Sequence, residues 1–98
     1  MYSLKREMGC SKEDLVRWLP QALGDLYASA RVEVDDHIVL NSDRPLIHIS
    51  GRSYPSRKIA LLHIPVMELH FSFAQNLSND QVESAMRRFD LYTRRGGG

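Results

Sequence analysis

The sequence has a single cysteine, Cys10, so an internal disulfide is excluded and the fold cannot depend on one. Long apolar runs are also absent. The longest strand-forming stretch, residues 59–73, is shorter than the roughly 18 apolar residues of a membrane helix and is interrupted by His63, Glu68 and His70. The start of the chain lacks the apolar segment of a signal peptide. We therefore expect a protein of the reducing cytoplasm that has no membrane segment.

The chain also lacks a strong net charge, which is formally +1 at pH 7. The charges are unevenly placed, because residues 1–43 carry five Lys/Arg against eight Asp/Glu and residues 44–98 carry eight against four. This balance differs from the strongly basic profile of a dedicated DNA-binding domain. It permits an acidic partner near the C-terminal half, or pairing between the two halves.

The first predicted helix begins at Ser11. Ser11 and Asp14 have the spacing of a capping box, and apolar residues follow at spacings of three and four. Pro20 lies inside this pattern and predicts a kink or a break, because its nitrogen has no hydrogen to donate. Gly24 is a suitable end, although the apolar pattern could continue to Ala30.

The second predicted helix begins at Ser78, which has capping-box spacing with Gln81. Its apolar residues repeat at helical spacing on one face, and Gly96 is suited to end it. Residues 96–98 are all glycine, so we expect them to form a flexible tail.

Strands are predicted between the helices at residues 31–34, 37–40, 46–50 and 58–74, with a loop at 51–57. In the last stretch, the odd residues from 59 to 73 form a row that we expect to face the core throughout. The even residues are apolar only up to Val66, so the first half is expected to be covered on both faces. Pro65 predicts a bulge, a bend or an edge position.

The predicted fold is α+β, with one helix, three to five antiparallel strands and a second helix. Two amphipathic helices and a sheet with one apolar face predict two layers, with both helices packed on one face. The length allows a single domain over residues 1–98. Residues 1–10 are a lead-in that is either an ordered extension or a frayed terminus.

A divalent-metal or small-ligand site is one functional hypothesis. Glu68 and His70 are two apart on a predicted strand and therefore share a face, and His48 on the preceding strand joins them if the register allows. Imidazole and carboxylate groups suit zinc or a similar metal. The favoured alternative is a solvated sheet face on which Glu68 and His70 pair, because two neighbouring ligands are a weak signal. No cofactor is predicted.

Anion or nucleic-acid binding is a second hypothesis, resting on Arg52, Arg57 and Lys58 around the predicted loop. The helix–strands–helix order resembles that of the double-stranded-RNA-binding domain, which grips its duplex through shape and phosphate contacts. That family has a lysine cluster at the start of its second helix, whereas residues 79–81 here are Asn-Asp-Gln. Nucleic acid is therefore a disfavoured partner.

The chain ends Arg94-Arg95-Gly96-Gly97-Gly98. This ending resembles the flexible Arg-Gly-Gly tail of ubiquitin-like proteins and their bacterial sulfur-carrier relatives, in which the terminal glycine carboxylate is adenylated. The resemblance implies a carrier function. In those families the tail follows a strand of a β-grasp fold, whereas here it follows a predicted helix, and a helix cap with a frayed end explains the same residues.

The function expected from the sequence is that of a non-enzymatic interaction or assembly module. No set of nucleophile, base and orienting residue is visible, so catalysis has the least support. The unpaired edges of a small open sheet favour a protein partner or a second copy of the chain, giving a homo-oligomer. Tyr54 and Trp18 are the candidate interface residues, with core packing as the favoured alternative for Trp18.

Overall fold

The computed structural model describes residues 2–97 of the chain. Its elements in order are β1 (Tyr2–Met8), α1 (Lys12–Leu23), a 3-10 helix (Gly24–Ser29), β2 (Ala30–Val34), β3 (His37–Leu40), β4 (Ile47–Ile59), β5 (Leu62–Phe73) and α2 (Asn79–Gly97). The predicted α+β class is confirmed. The residues of the predicted lead-in supply β1, apart from Met1, which lies outside the described residues. The predicted tail begins within α2, and Gly98 also lies outside the described residues.

The five strands form one open, mixed sheet in the order β1-β5-β4-β2-β3. The prediction that all the strands are antiparallel is wrong, because β2 and β4 are parallel. The reason is the position of β3, which forms a hairpin with β2 on its outer side. The chain therefore returns to the other side of β2 and runs in the same direction as that strand.

Strand β4 is much longer than predicted and runs through residues 51–57, where a loop was expected. A bulge between Tyr54 and Arg57 takes up Pro55 and Ser56, which is why proline and serine are tolerated in the strand. The bulge lies opposite Pro65, since Tyr54 pairs with Val66 and Arg57 with Ile64. Of the bulge, bend or edge position predicted at Pro65, the structure shows a bulge, and its extra residue belongs to the opposite strand β4.

The stretch 59–73 is divided between two strands, because Ile59 ends β4 and pairs with Leu62 across the turn at Ala60 and Leu61. Ala60 has φ 56°, a left-handed conformation that suits a two-residue hairpin turn. In the second half of the stretch 59–73, the odd residues are buried as predicted: Met67, Leu69, Phe71 and Phe73. The prediction that the first half is covered on both faces is wrong, because Leu61 is 93% exposed.

Both helices begin directly after the predicted N-cap serines, and α1 ends directly before Gly24. Both hydrogen bonds of each predicted capping box are present, at Ser11–Asp14 and at Ser78–Gln81. Helix α1 continues through Pro20 without a break and ends at Leu23, where Gly24 adopts φ 57°. A Cβ on Gly24 would also lie 2.7 Å from Nε of Arg88, so both backbone and space favour glycine there.

The core joins both helices to alternate residues of β2, β4 and β5. Within this core the rings of Phe71 and Phe89 meet edge to face, with their centroids 4.9 Å apart. Trp18 is half-buried and packs against this core, which is the favoured alternative for that residue. Arg6 of β1 bonds Asp90 of α2 at 3.3 Å and so joins an edge strand to the second helix.

Candidate interaction surface

Strands β4 and β5 extend beyond the rest of the sheet as a two-stranded arm, defined here as residues 52–66. The pairing of β2 with β4 ends at Val34 and Gly51, and that of β1 with β5 ends at Met8 and Met67. Beyond these rungs, β4 and β5 pair with each other only. The arm gives the described residues an elongated outline of 46 × 25 × 21 Å.

The arm has an apolar tip and basic flanks. Leu61 and Leu62 at the turn are 93% and 66% exposed, and Tyr54 nearer the sheet is 45% exposed. Lys58 and His63 face each other across the strands one rung below the pair that flanks the turn, and both are exposed. The arm sequence contains no aspartate or glutamate. Its chemistry therefore combines an apolar anchor with positive charge.

Two polar contacts join the arm to the rest of the sheet. Asp35 in the β2–β3 turn accepts a hydrogen bond from the backbone N–H of Ser53 at 2.9 Å. This bond is the main reason that the pKa of Asp35 lies below its ordinary value, with the charges of Arg52 and His37 adding to it. Farther along β4, Arg57 forms an ion pair with Glu7 of β1 at 2.9 Å.

The polar row of the sheet brings two of the predicted metal ligands together. His70 Nε2 and Glu68 Oε1 are 2.8 Å apart, a contact that their shared face permits. The hydrogen bond from His70 is the main cause that lowers the pKa of Glu68. Across the strands, Ser50 lies opposite His70, and Arg52 lies opposite Glu68. These four residues and Tyr54 line a depression of about 440 Å³.

The third predicted metal ligand, His48, is engaged elsewhere. His48 lies opposite Ser72 on the same row of the sheet, but its Nε2 is 3.0 Å from Oε1 of Glu33 on β2. Within residues 2–97, no group of three or more His, Cys, Asp or Glu side chains is arranged to hold a metal ion. Sequence reasoning could not find the Glu33 partner, because it depends on β2 lying beside β4.

The predicted anion-binding residues are all on the arm and all exposed, but they are not equally available. Arg57 is held by Glu7, and Arg52 lies opposite the carboxylate of Glu68 in register. Lys58 forms no ion pair within the described residues. The arrangement therefore leaves less positive charge for a phosphate backbone than the sequence suggests.

A groove lies at the other end of the molecule, between the end of α1 and the start of α2, and sequence reasoning missed it. It has a volume of about 580 Å³, and its apolar lining is formed by Leu23, Leu26, Leu77 and Ala85. Arg88 borders the groove and is fixed by a 2.7 Å bond from its Nε to the carbonyl of Gln21. Its lining comes from distant segments of the chain, so no local signal could have found this groove.

No family model, no curated protein and no solved structure matches this chain. As described over residues 2–97, neither helix has the length and apolar character needed to cross a lipid bilayer.

Proposed function

We propose that this protein is a non-enzymatic interaction module of the cytoplasm that binds a protein partner through the arm. The observation that carries this proposal is the exposure of Leu61 and Leu62 at the end of a hairpin that leaves the sheet. A two-stranded hairpin alone is marginally stable in water. Covering its apolar tip with a partner stabilises both the hairpin and the complex.

The charges of the arm favour a protein over a nucleic acid. Affinity for nucleic acid comes mainly from several Lys or Arg side chains that neutralise phosphates. On the arm, Arg57 pairs with Glu7, and the charge of Arg52 acts on the carboxylates of Glu68 and Asp35, so two of the three cations have carboxylates as neighbours. An apolar anchor with a small charged rim is typical of protein interfaces.

The same proposal accounts for the two faces of the sheet. We infer that both helices cover one face, because the buried residues of β5 share a single core with residues of α1 and α2. The opposite row holds His70, which is exposed, and Glu68 and Ser72, which are half-buried. Among the described side chains of the sheet, the large apolar ones that remain exposed are Ile38 of β3 and, on the arm, Tyr54, Leu61 and Leu62, of which Leu61 is the most exposed.

The test is photo-crosslinking in the cells that produce the protein. A photoreactive amino acid replaces Leu61 in one variant and Leu91 in a matched control. Leu91 is also an exposed leucine, at 59%, but lies on α2. We expect one discrete protein adduct from position 61 and none from position 91. A missing adduct at position 61, equal adducts at both positions, or an adduct with nucleic acid would contradict the proposal.

A further inference from the structure

We propose that the partner of the arm is a second copy of this chain, and that the arm tip of one copy docks into the groove between α1 and α2 of the next. This inference rests on the proposed function of the arm. It names the occupant of the groove, whose apolar lining would otherwise be left facing water.

The arm and the groove lie at opposite ends of the molecule. Ile47, the first residue of β4, pairs with Ala30 on one side and with Phe73 on the other. The 3-10 helix that follows α1 leads into Ala30, and Phe73 leads into α2, so the groove is at this end of β4. The arm is at the far end of the same 13-residue strand. At about 3.3 Å per residue the strand spans roughly 43 Å, so an arm cannot reach the groove of its own chain.

The tip and the groove match in polarity. The tip presents Leu61 and Leu62, and the apolar lining of the groove consists of the half-buried Leu26, Leu77 and Ala85 together with the buried Leu23. A volume of about 580 Å³ lies within the range of pockets that bury ligands of moderate size, so it can accept two leucine side chains. Leucine side chains from one copy would replace water against leucine side chains of the next.

The tip and the groove also match in charge. Lys58 and His63 flank the two leucines of the tip, whereas the charged residues that line the groove are Asp25, Asp80 and Arg88, and the guanidinium of Arg88 is engaged with the carbonyl of Gln21. Within the described residues, neither aspartate forms an ion pair with its own chain. Docking therefore places the basic flanks of the tip against the two groove aspartates around an apolar centre, an arrangement that orients the interface.

Contact between two different surfaces makes a head-to-tail interface. Copies joined in this way form a closed ring if the rotation between neighbours closes, and an open filament if it does not. The charged rim makes the association weaker at high salt. The expected behaviour is a purified chain whose mass rises with concentration and falls with added salt.

The experiment measures sedimentation velocity of the purified 98-residue chain and of its variants over a range of concentrations. We expect the wild-type chain to associate and the double variant Leu61→Ser, Leu62→Ser to remain monomeric. Lys58→Glu and Asp80→Lys should each weaken association by about tenfold, because each creates like charges across the interface. Glu83→Lys, an exposed change on the same helix as Asp80 but outside the groove, should leave association unchanged.

Mixing the two charge variants gives the decisive result. In an alternating assembly, the glutamate introduced by Lys58→Glu on one arm meets the lysine introduced by Asp80→Lys in the next groove. The unchanged Lys58 and Asp80 meet at the following contact, so both contacts are attractive. We expect the mixture to regain the association of the wild-type chain, which a folding defect could not produce. Circular dichroism confirms that each variant is folded.

Failure of this inference can be told apart from failure of the proposed function. A monomeric wild-type chain, or a mixture that does not regain association, would overturn docking between copies. If position 61 still forms a discrete adduct with another protein, the arm binds a different partner and the proposed function stands. If position 61 forms no adduct and the chain is monomeric, both proposals fail.

Discussion

The Oδ1 atom of Asp35 lies 2.9 Å from the backbone nitrogen of Ser53 and accepts its hydrogen bond. This contact joins the turn between β2 and β3 to the first residues of the arm. It lies just past the last rung between β2 and β4, which pairs Val34 with Gly51. The bond therefore holds the arm at the point where the support of the sheet ends.

The Asp35–Ser53 contact should depend on pH. The pKa of Asp35 is lowered in the folded chain, mainly by this hydrogen bond. The contact therefore stabilises the fold above pH 3.8, the ordinary pKa of the carboxyl, and this stabilisation is lost as the pH falls through the lowered pKa. Asp35→Asn should remove the acid transition of the Ser53 amide in a ¹⁵N NMR titration. Asp36→Asn, in the same turn, is the control and should keep it. An unchanged transition in Asp35→Asn would disprove this account.

The Glu68–His70 pair predicts a shift in titration. The hydrogen bond from His70 is the largest cause of the lowered pKa of Glu68, so His70→Ala should raise that pKa towards its ordinary value of 4.5. The measurement is the ¹³C chemical shift of the Glu68 carboxyl against pH. Ser72→Ala changes a neighbour on the same row and should have little effect. Equal titrations in wild type and His70→Ala would show that the two side chains do not interact.

Cys10 should make the fold sensitive to alkali. Its side chain is 1% exposed, and burial, helped by the charge of Asp14, raises the pKa of the thiol from 9.0 to about 11. Because the pKa is raised, the neutral buried thiol contributes its full stabilisation of the fold below pH 9. That contribution is lost between pH 9 and 11, where the thiol ionises in the unfolded chain before it does in the folded one. From pH 8 to pH 10 the wild type should lose about 1 kcal/mol more free energy of unfolding than Cys10→Ala. Urea denaturation at both pH values measures this, and equal losses would refute it.

The contact between Phe71 and Phe89 should be a main source of stability. Phe89→Ala removes a buried ring from the core and should lower the free energy of unfolding by about 3–5 kcal/mol. Leu91→Ala, on the exposed side of the same helix, should change it by less than about 0.5 kcal/mol. Urea denaturation with matched slopes gives both values. Similar losses in the two variants would mean that Phe89 is not a core residue in solution.

The features that could be read from the sequence are those set by neighbouring residues. Both capping boxes, the bounds of β3 at His37–Leu40 and the irregular pairing opposite Pro65 follow from local chemistry. The buried row from Met67 to Phe73 follows from strand alternation, because that half of β5 has strands on both sides and a core on one face.

The features that could not be read depend on which strands become neighbours. The parallel pairing of β2 with β4 brings Glu33 to His48, and no spacing in the chain encodes that contact. Residues 51–57 were predicted as a loop because their composition is polar and rich in turn residues. An arm that is exposed on both faces has the same composition as a loop, so only the partner strand distinguishes them.

The position of β1 has a consequence for how the protein is made. This strand leaves the ribosome before the other four, yet it pairs with β5, which is translated after all of them. Strand β1 therefore cannot join the sheet until β5 has emerged, and its apolar residues stay accessible to chaperones for most of synthesis. A chain that ended before β5 would leave β1 without the strand it pairs with.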